Sequence, residues 1–193
     1  MSAAVNEPMS LETFLDWESR QELKYEFDGF QPVAMTGGSS EHAAIQVNLI
    51  RALGNRLDGG PCRVFGSELK IAAAGSIRYP DAFVVCTRVS RGTFVVTDPL
   101  VVFEILSPST SSIDRIKKNW EYRQTPSIQQ YVILEQTSQA ATVYVRDGQD
   151  WKAETLIGDM DLALPEIGIT VPLSELYRDV SFPTEIDWQA VER

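Results

Sequence analysis

The alternation of patterns along this chain predicts an α/β domain, a mixed central β-sheet flanked by α-helices. Two helical patterns carry the expectation, one from Ser39 or Ser40 to about Arg56 and one over roughly 111 to 124; strand-like runs stand before, between and after them. A third observation concerns chemistry. Two of the apolar runs, "RYPDAFVVC" from Arg78 and "LVVFEILSPST" from Leu100, each hold one carboxylate, Asp81 and Glu104. At 193 residues the chain suits one domain, expected over 10–180 with a polar tail at 181–193.

The elements follow in order. Ser10 is placed to cap a short helix through "LETFLDWESR". "KYEFDGFQPVAM" reads as two short strands around an Asp28-Gly29 turn, and Gly37-Gly38 ends that unit. The long helix that follows sets Ile45, Leu49 and Leu53 on one face, and Gly59-Gly60-Pro61 breaks it. Strands are expected at about 62–73, 79–86 and 100–106. "SPSTSSID" then leads into the second helix, stopped by Thr125-Pro126. Asp114, Lys118 and Tyr122 share one face of it, with Ile113, Ile116 and Trp120 as the adjacent apolar face. "QYVILEQ", "ATVYVRD" and "DWKAETLI" read as strands, and "LALPEIGITVPLSELYRDV" as two extended pieces and a helical turn.

Composition is that of a globular protein, 44% hydrophobic and 23% charged. The 17 basic and 27 acidic residues leave a net charge of −10, a poor footprint for strong non-specific DNA binding. A local basic groove remains open to Arg51, Arg56, Arg63, Lys70, Arg78 and Lys118. Cys62 and Cys86 are expected as free buried thiols, and the absence of a CxxC pair speaks against structural zinc. "MSAAVNEPMS" has no leader pattern and no apolar run approaches a membrane span, so a cytoplasmic location is expected.

An ionised carboxylate among apolar side chains is costly unless something pairs with it. Side chains alternate faces along a strand, so Glu104 can emerge at a strand end, and Asp81 can meet it there if the two strands are neighbours. Two such acids repel, and a hard divalent cation, Mg²⁺ or Mn²⁺, relieves the repulsion. Lys118 is placed to reach over the sheet edge toward Glu104, where it can orient water or stabilise charge on a phosphate. The plainer alternatives are separate arginine partners for the acids and an Asp114–Lys118 surface pair.

"YEFDG", Glu41-His42, "YPD", "FEILSPST", "DRIKK" with Tyr122, and "QQYVILE" occur in this order. Together they closely resemble the restriction endonuclease family that is greatly expanded in cyanobacteria and was long carried as a domain of unknown function, a branch of the PD-(D/E)XK nuclease superfamily. The resemblance implies a restriction-endonuclease-like fold. It implies Asp81 and Glu104 as metal ligands, with the Ile105 carbonyl completing the site. The superfamily lysine belongs two residues beyond Glu104, where this chain has Leu106. In this family it has moved to the following helix, and Lys118 matches that place. Glu26 is then an expected auxiliary metal ligand, and His42 is expected near substrate. The helix N-terminus disfavours a protonated His42. Lys70, from a literal "ELK" that precedes the PD, and Tyr122, on the Lys118 face, are expected beside the substrate.

The implied function is a Mg²⁺- or Mn²⁺-dependent endonuclease with DNA as substrate, and a homodimer suits it because two strands need two sites. The alternative is a non-catalytic nucleic-acid- or protein-binding module on the same fold, which the charge and Leu106 favour. A two-carboxylate glycosidase is the third reading.

Overall fold

The computed structural model describes residues 8–35, 37–106 and 114–182. Helix α1 (Leu11–Glu18) starts where Ser10 Oγ accepts from the Thr13 amide. Strands β1 (Tyr25–Phe27) and β2 (Pro32–Ala34) pair antiparallel. Their turn places Gly29 at φ +86°, a left-handed value that glycine adopts without strain. Helix α2 (Ser40–Leu57) is capped by Ser39 and buries Ile45, Leu49 and Leu53 on one face.

The run expected as one strand over 62–73 is two, β3 (Arg63–Gly66) and β4 (Lys70–Ala73). The run over 79–86 is likewise shortened. Tyr79 and Pro80 separate β5 (Ser76–Arg78) from β6 (Ala82–Val85), because proline has no N–H to give a ladder. After β7 (Val95–Val96) comes β8 (Val101–Leu106), buried along its whole length. A π-helical turn (Asp114–Lys118) runs into helix α3 (Asn119–Gln124). Strands β9 (Gln130–Glu135), β10 (Ala140–Asp147) and β11 (Asp150–Ile157) follow. The described chain closes with β12 (Asp161–Leu164), β13 (Ile169–Pro172) and the short α4 (Leu173–Leu176).

Six strands form the central sheet in the order β11-β10-β9-β8-β6-β3. The β8–β9 pair is parallel and the rest antiparallel, so the sheet is mixed as expected. A second sheet, β2-β1-β5-β4-β7, was not anticipated; the breaks within 62–73 and 79–86 pass the chain from one sheet to the other. Alternation along β8 divides the core. Val101, Phe103 and Ile105 pack with α2, whereas Val102 and Leu106 face Phe83, Tyr122 and Tyr131. Glu104 shares parity with the second set, which puts it under the 114–124 helix.

Two expectations are corrected. Cys62 and Cys86 are not free thiols but a disulfide, with Cα atoms 3.8 Å apart. The reason is register: β3 and β6 are antiparallel with Arg63 opposite Val85, so the next pair outward is Cys62 and Cys86. The second helix also turns the other way from its apolar pattern. Ile116 and Trp120 face solvent while Lys118, Glu121 and Tyr122 are buried, because the interior beneath this helix is an ion network. Ile113 and the Asp114 side chain lie outside the described residues, as does the tail from 183 onward. Among the described residues no helix is long and apolar enough to cross a membrane.

Candidate active site

Strand register creates the central pair. In the antiparallel β6–β8 ladder Ala82 faces Phe103, so one step outward Asp81 stands opposite Glu104 on the same face. Asp81 Oδ2 accepts from the Ile105 amide at 2.7 Å, which fixes the carboxylate against the end of β8. Its backbone carbonyl accepts from Gln46 Nε2 of α2 at 2.9 Å. Its Oδ1 lies 3.2 Å from His42 Nε2, in the first turn of α2. Gly38 permits this approach, since a Cβ there would meet His42 Nδ1 at 2.8 Å.

Glu104 is deeper. Its Oε1 accepts from the Tyr122 hydroxyl at 2.6 Å and lies 3.2 Å from Lys118 Nζ. Lys118 also reaches Glu26 Oε1, at 3.3 Å. Glu26 and Arg78 are cross-strand neighbours on β1 and β5, since Phe27 faces Ile77. Arg78 binds Glu26 Oε2 at 3.0 Å and grips both oxygens of Glu121 at 2.6 and 2.7 Å. Ser76 Oγ donates to Glu121 as well. The side chains form one chain: Glu121, Arg78, Glu26, Lys118, Glu104, then across the register to Asp81 and His42.

The electrostatics follow from burial. Glu104 is pushed up to about 7, first by burial, then by Asp81 and Glu26, against the pull of Lys118 and Tyr122. Burial presses Glu26 in the same direction, but Lys118 and Arg78 outweigh it and hold its carboxyl below the usual value. His42 is raised, chiefly by its hydrogen bond to Asp81, with a further contribution from the Ile105 backbone. This corrects the expectation of a disfavoured imidazolium: a full charge at 3.2 Å outweighs the partial charge of a helix end.

Several expected roles meet a different geometry. Glu26 was expected as an auxiliary metal ligand; its oxygens face Arg78, the Tyr79 amide and Lys118. Tyr122 was expected at substrate, but it is fully buried and its hydroxyl serves Glu104. Lys70 is buried against Glu18 at 2.5 Å, and Glu68 of the same "ELK" pairs with Lys24 in a turn. Of the six basic residues to which a local groove was left open, Arg51 and Arg63 stay exposed and Lys118 is buried. Arg78 and Lys70 are buried, and Arg56 is bound bidentately by Glu175. Leu106 is buried among apolar side chains. Arg78 and Glu121 were missed as site residues. Their signal was present in the strand-like "SIRYP", which sets an arginine inside an apolar run, and in Glu121 three residues after Lys118.

Among the described residues no three of His, Cys, Asp and Glu gather as a cation cage. The Asp81–Glu104 pair nonetheless suits a hard divalent ion that keeps several waters. Charge supports the fit. Among the described residues four carboxylates (Glu26, Asp81, Glu104, Glu121) meet two permanent cations (Arg78, Lys118), an excess of negative charge when Glu104 is ionised and His42 is neutral. Asp81 and His42 mark the wetter end, with side chains 14% and 18% exposed.

Stability in chelator should report this excess. A folded pKa near 7 exceeds the ordinary value of 4.5, so the Glu104 contribution is complete below 4.5 and is lost as pH rises through 7. Glu104→Gln does not titrate, keeps an acceptor for Tyr122 and removes repulsion from Asp81. Its melting temperature minus that of the parent should therefore rise between about pH 5 and pH 8 in chelator. Thermal melts at the two pH values check this, and a variant less stable at the higher pH would make Glu104 a structural ion-pair member.

Comparison with known proteins shows the same outline. The family model described as "Putative restriction endonuclease" matches residues 11–173. Two uncharacterized proteins of Synechocystis sp. are similar in sequence. One, slr1290, is 36% identical over 178 residues, covering 90% of this chain and 94% of that protein. The other, sll1609, is 26% identical over 165 residues, covering 82% and 93%. The crystal structure of a protein from Anabaena variabilis described as a "putative nuclease belonging to DUF820" superposes with a TM-score of 0.72 at 20% identity. It covers 88% of this chain and 98% of its own, a likeness of fold.

Proposed function

Because the chain belongs to the Uma2 family, described as "Putative restriction endonuclease", we propose that it hydrolyses phosphodiester bonds of DNA at Asp81, Glu104 and Lys118 with a bound Mg²⁺ or Mn²⁺. One observation carries the reading. Two carboxylates from adjacent strands oppose each other, and a lysine from a third element stands 3.2 Å from one of them.

Asp81 and Glu104 would hold the ion, with the Ile105 carbonyl beside them. When bound, the cation supplies Lewis acidity toward water and positive charge for the phosphoryl oxygens. The protein's own groups do the rest. Lys118, held between Glu26 and Glu104, would turn its ammonium to a nucleophilic water or a phosphate oxygen. Arg78 and Glu121 fix Glu26, which keeps Lys118 in place. Tyr122 fixes the Glu104 rotamer. His42, its proton favoured by Asp81, stands at the open end as a donor to phosphate or to the departing oxygen.

Calorimetry tests the ligand set. Mn²⁺ should bind with affinity that rises as pH passes through about 7, because the proton on Glu104 must leave first. Asp81→Ala should bind far more weakly, and equal binding by both proteins would remove Asp81 from the site. A nuclease assay with Mg²⁺, Mn²⁺ and chelator on single-stranded and duplex DNA tests the reaction.

A non-catalytic module on the same fold is the second reading, favoured by the apolar Leu106 and by the burial of Lys70 and Arg78 and the pairing of Arg56 with Glu175. It predicts cation binding with no cleavage of any DNA form.

A further inference from the structure

The helix that delivers Lys118 has an outer face with its own chemistry. Ile116 is 76% exposed and Trp120 59%. With Arg123 they line an open groove of about 570 Å³, closed on the other side by Tyr144 and Trp151 of β10 and β11. Amide side chains complete it, and among the described residues no acid lines it, although the chain has 27. Asp147 at the hairpin tip is paired with Lys152 at 2.6 Å.

One arginine, Arg123, lines this groove, and a second, Arg146, stacks on its Trp151 wall. The Arg123 guanidinium lies 5.9 Å from the Trp151 ring centre and that of Arg146 lies 4.5 Å away. Arg146 is pinned by the carbonyls of Ile128, Arg123 and Thr125. Neither arginine has a carboxylate partner among the described residues. Burial and the neighbouring Arg123 lower the Arg146 pKa, the mark of positive charge without a counter-ion. In a chain of net charge −10, two uncompensated guanidiniums beside two indoles match a ligand that is aromatic and anionic at once. A nucleotide is such a ligand: its base stacks on an indole, and its phosphate pairs with a guanidinium. A duplex hides its base faces, whereas a single strand offers them.

The groove also abuts the site. Tyr144 stacks on Tyr131 at 5.8 Å, and Tyr131 packs edge-on against Tyr122 at 4.9 Å. Tyr122 holds Glu104. One helix diameter, about 10 Å, separates the groove from Lys118. We propose that this groove is a subsite for an unpaired nucleotide of single-stranded nucleic acid, engaged beside the Asp81–Glu104–Lys118 site. The proposal rests on the nuclease reading of that site.

Fluorescence anisotropy of the full chain in chelator tests it, with a labelled oligothymidylate of about twelve nucleotides and a duplex of equal length. The single strand should bind more tightly. Trp120→Ala should weaken it about tenfold, the loss expected for one stacked base. Arg123→Ala should reduce the slope of log affinity against log salt by about 0.7, one phosphate contact on a single strand. Both side chains are exposed, and thermal melts verify that the variants fold. If both variants bind the oligomer as the parent does, the groove proposal is overturned. Cleavage by the parent, with its loss in Asp81→Asn, would in that case leave the nuclease reading standing. A parent that neither binds nor cleaves any form overturns both. Sedimentation gives a separate refutation: if Trp120→Ala turns a dimer into a monomer without changing oligomer affinity, this face is an interface between copies of the chain.

Discussion

Lys118→Ala should lose DNA cleavage by at least about 10²–10³-fold, the effect of removing one preorganised charge from a reaction that builds negative charge. Mn²⁺ binding should survive, because the lysine acts on water or phosphate while Asp81 and Glu104 hold the ion. The substitution leaves Glu26 and Glu104 facing each other without the ammonium between them. Glu104, already pushed up to about 7, will then hold its proton more tightly, so Mn²⁺ affinity should be compared above that pH. Lys118→Arg keeps the charge in a different shape and should restore only part of the rate. Lys117→Ala is the contrast. Lys117 pairs with Asp28 at 2.9 Å with its side chain 39% exposed, a surface pair contributing at most about 1 kcal/mol. Single-turnover cleavage of the three variants decides the matter. Cleavage by Lys118→Ala within tenfold of the parent, or loss in Lys117→Ala, would end the account of a lysine moved to this helix and would favour the non-catalytic module.

Arg78→Met should destabilise the fold by about 3–5 kcal/mol at neutral pH, the cost of stranding buried charges. Arg78 holds Glu26 on one side and both oxygens of Glu121 on the other, and all three residues are buried. Methionine fills similar volume and answers neither carboxylate. The sign of the pH effect follows from Glu26. Its folded pKa lies below the ordinary 4.5, so the stability it contributes is present above 4.5 and is lost as pH falls through the lowered value. In the variant the part that Arg78 supplies is gone while Lys118 remains, and the gap from the parent should narrow as pH falls toward and below 4.5. Urea unfolding at about pH 7.5 and pH 4.5 measures it, with m-values to check two-state behaviour. A loss under about 1 kcal/mol at neutral pH would mean that the network is solvated and does not hold Lys118 rigidly.

The same network shows why legibility from sequence was uneven. The Ser10 and Ser39 caps, the 25–34 hairpin and the Ile45, Leu49, Leu53 face each depend on residues within a few positions of one another, and those elements stand where the local pattern put them. The expected reach of Lys118 toward Glu104 is met at 3.2 Å. Lys118 and Tyr122 share the buried face as their spacing implied, but the apolar residues beside them do not join it. The helix begins as a π turn, and its apolar residues, Ile116 and Trp120, face out. Hydrophobic patterning assumes an apolar interior, and here the interior is ionic.

By itself the sequence determined the mixed α/β class, the family, and the fact that two buried apolar runs each carry one carboxylate, Asp81 and Glu104, because these follow from local pattern and ordered motifs; that Glu104 lies within β8 and not at its end was decided by the structure. Only the tertiary structure decided that Asp81 opposes Glu104, that Cys62 meets Cys86, that Glu26 holds Arg78 and Lys118, and that Lys70 belongs to Glu18. The physical reason is range. A buried charge is costly wherever it lies and will take any partner that removes the cost. Which partner it finds is set by strand register and by helix placement across tens of residues, and no local run of sequence encodes either.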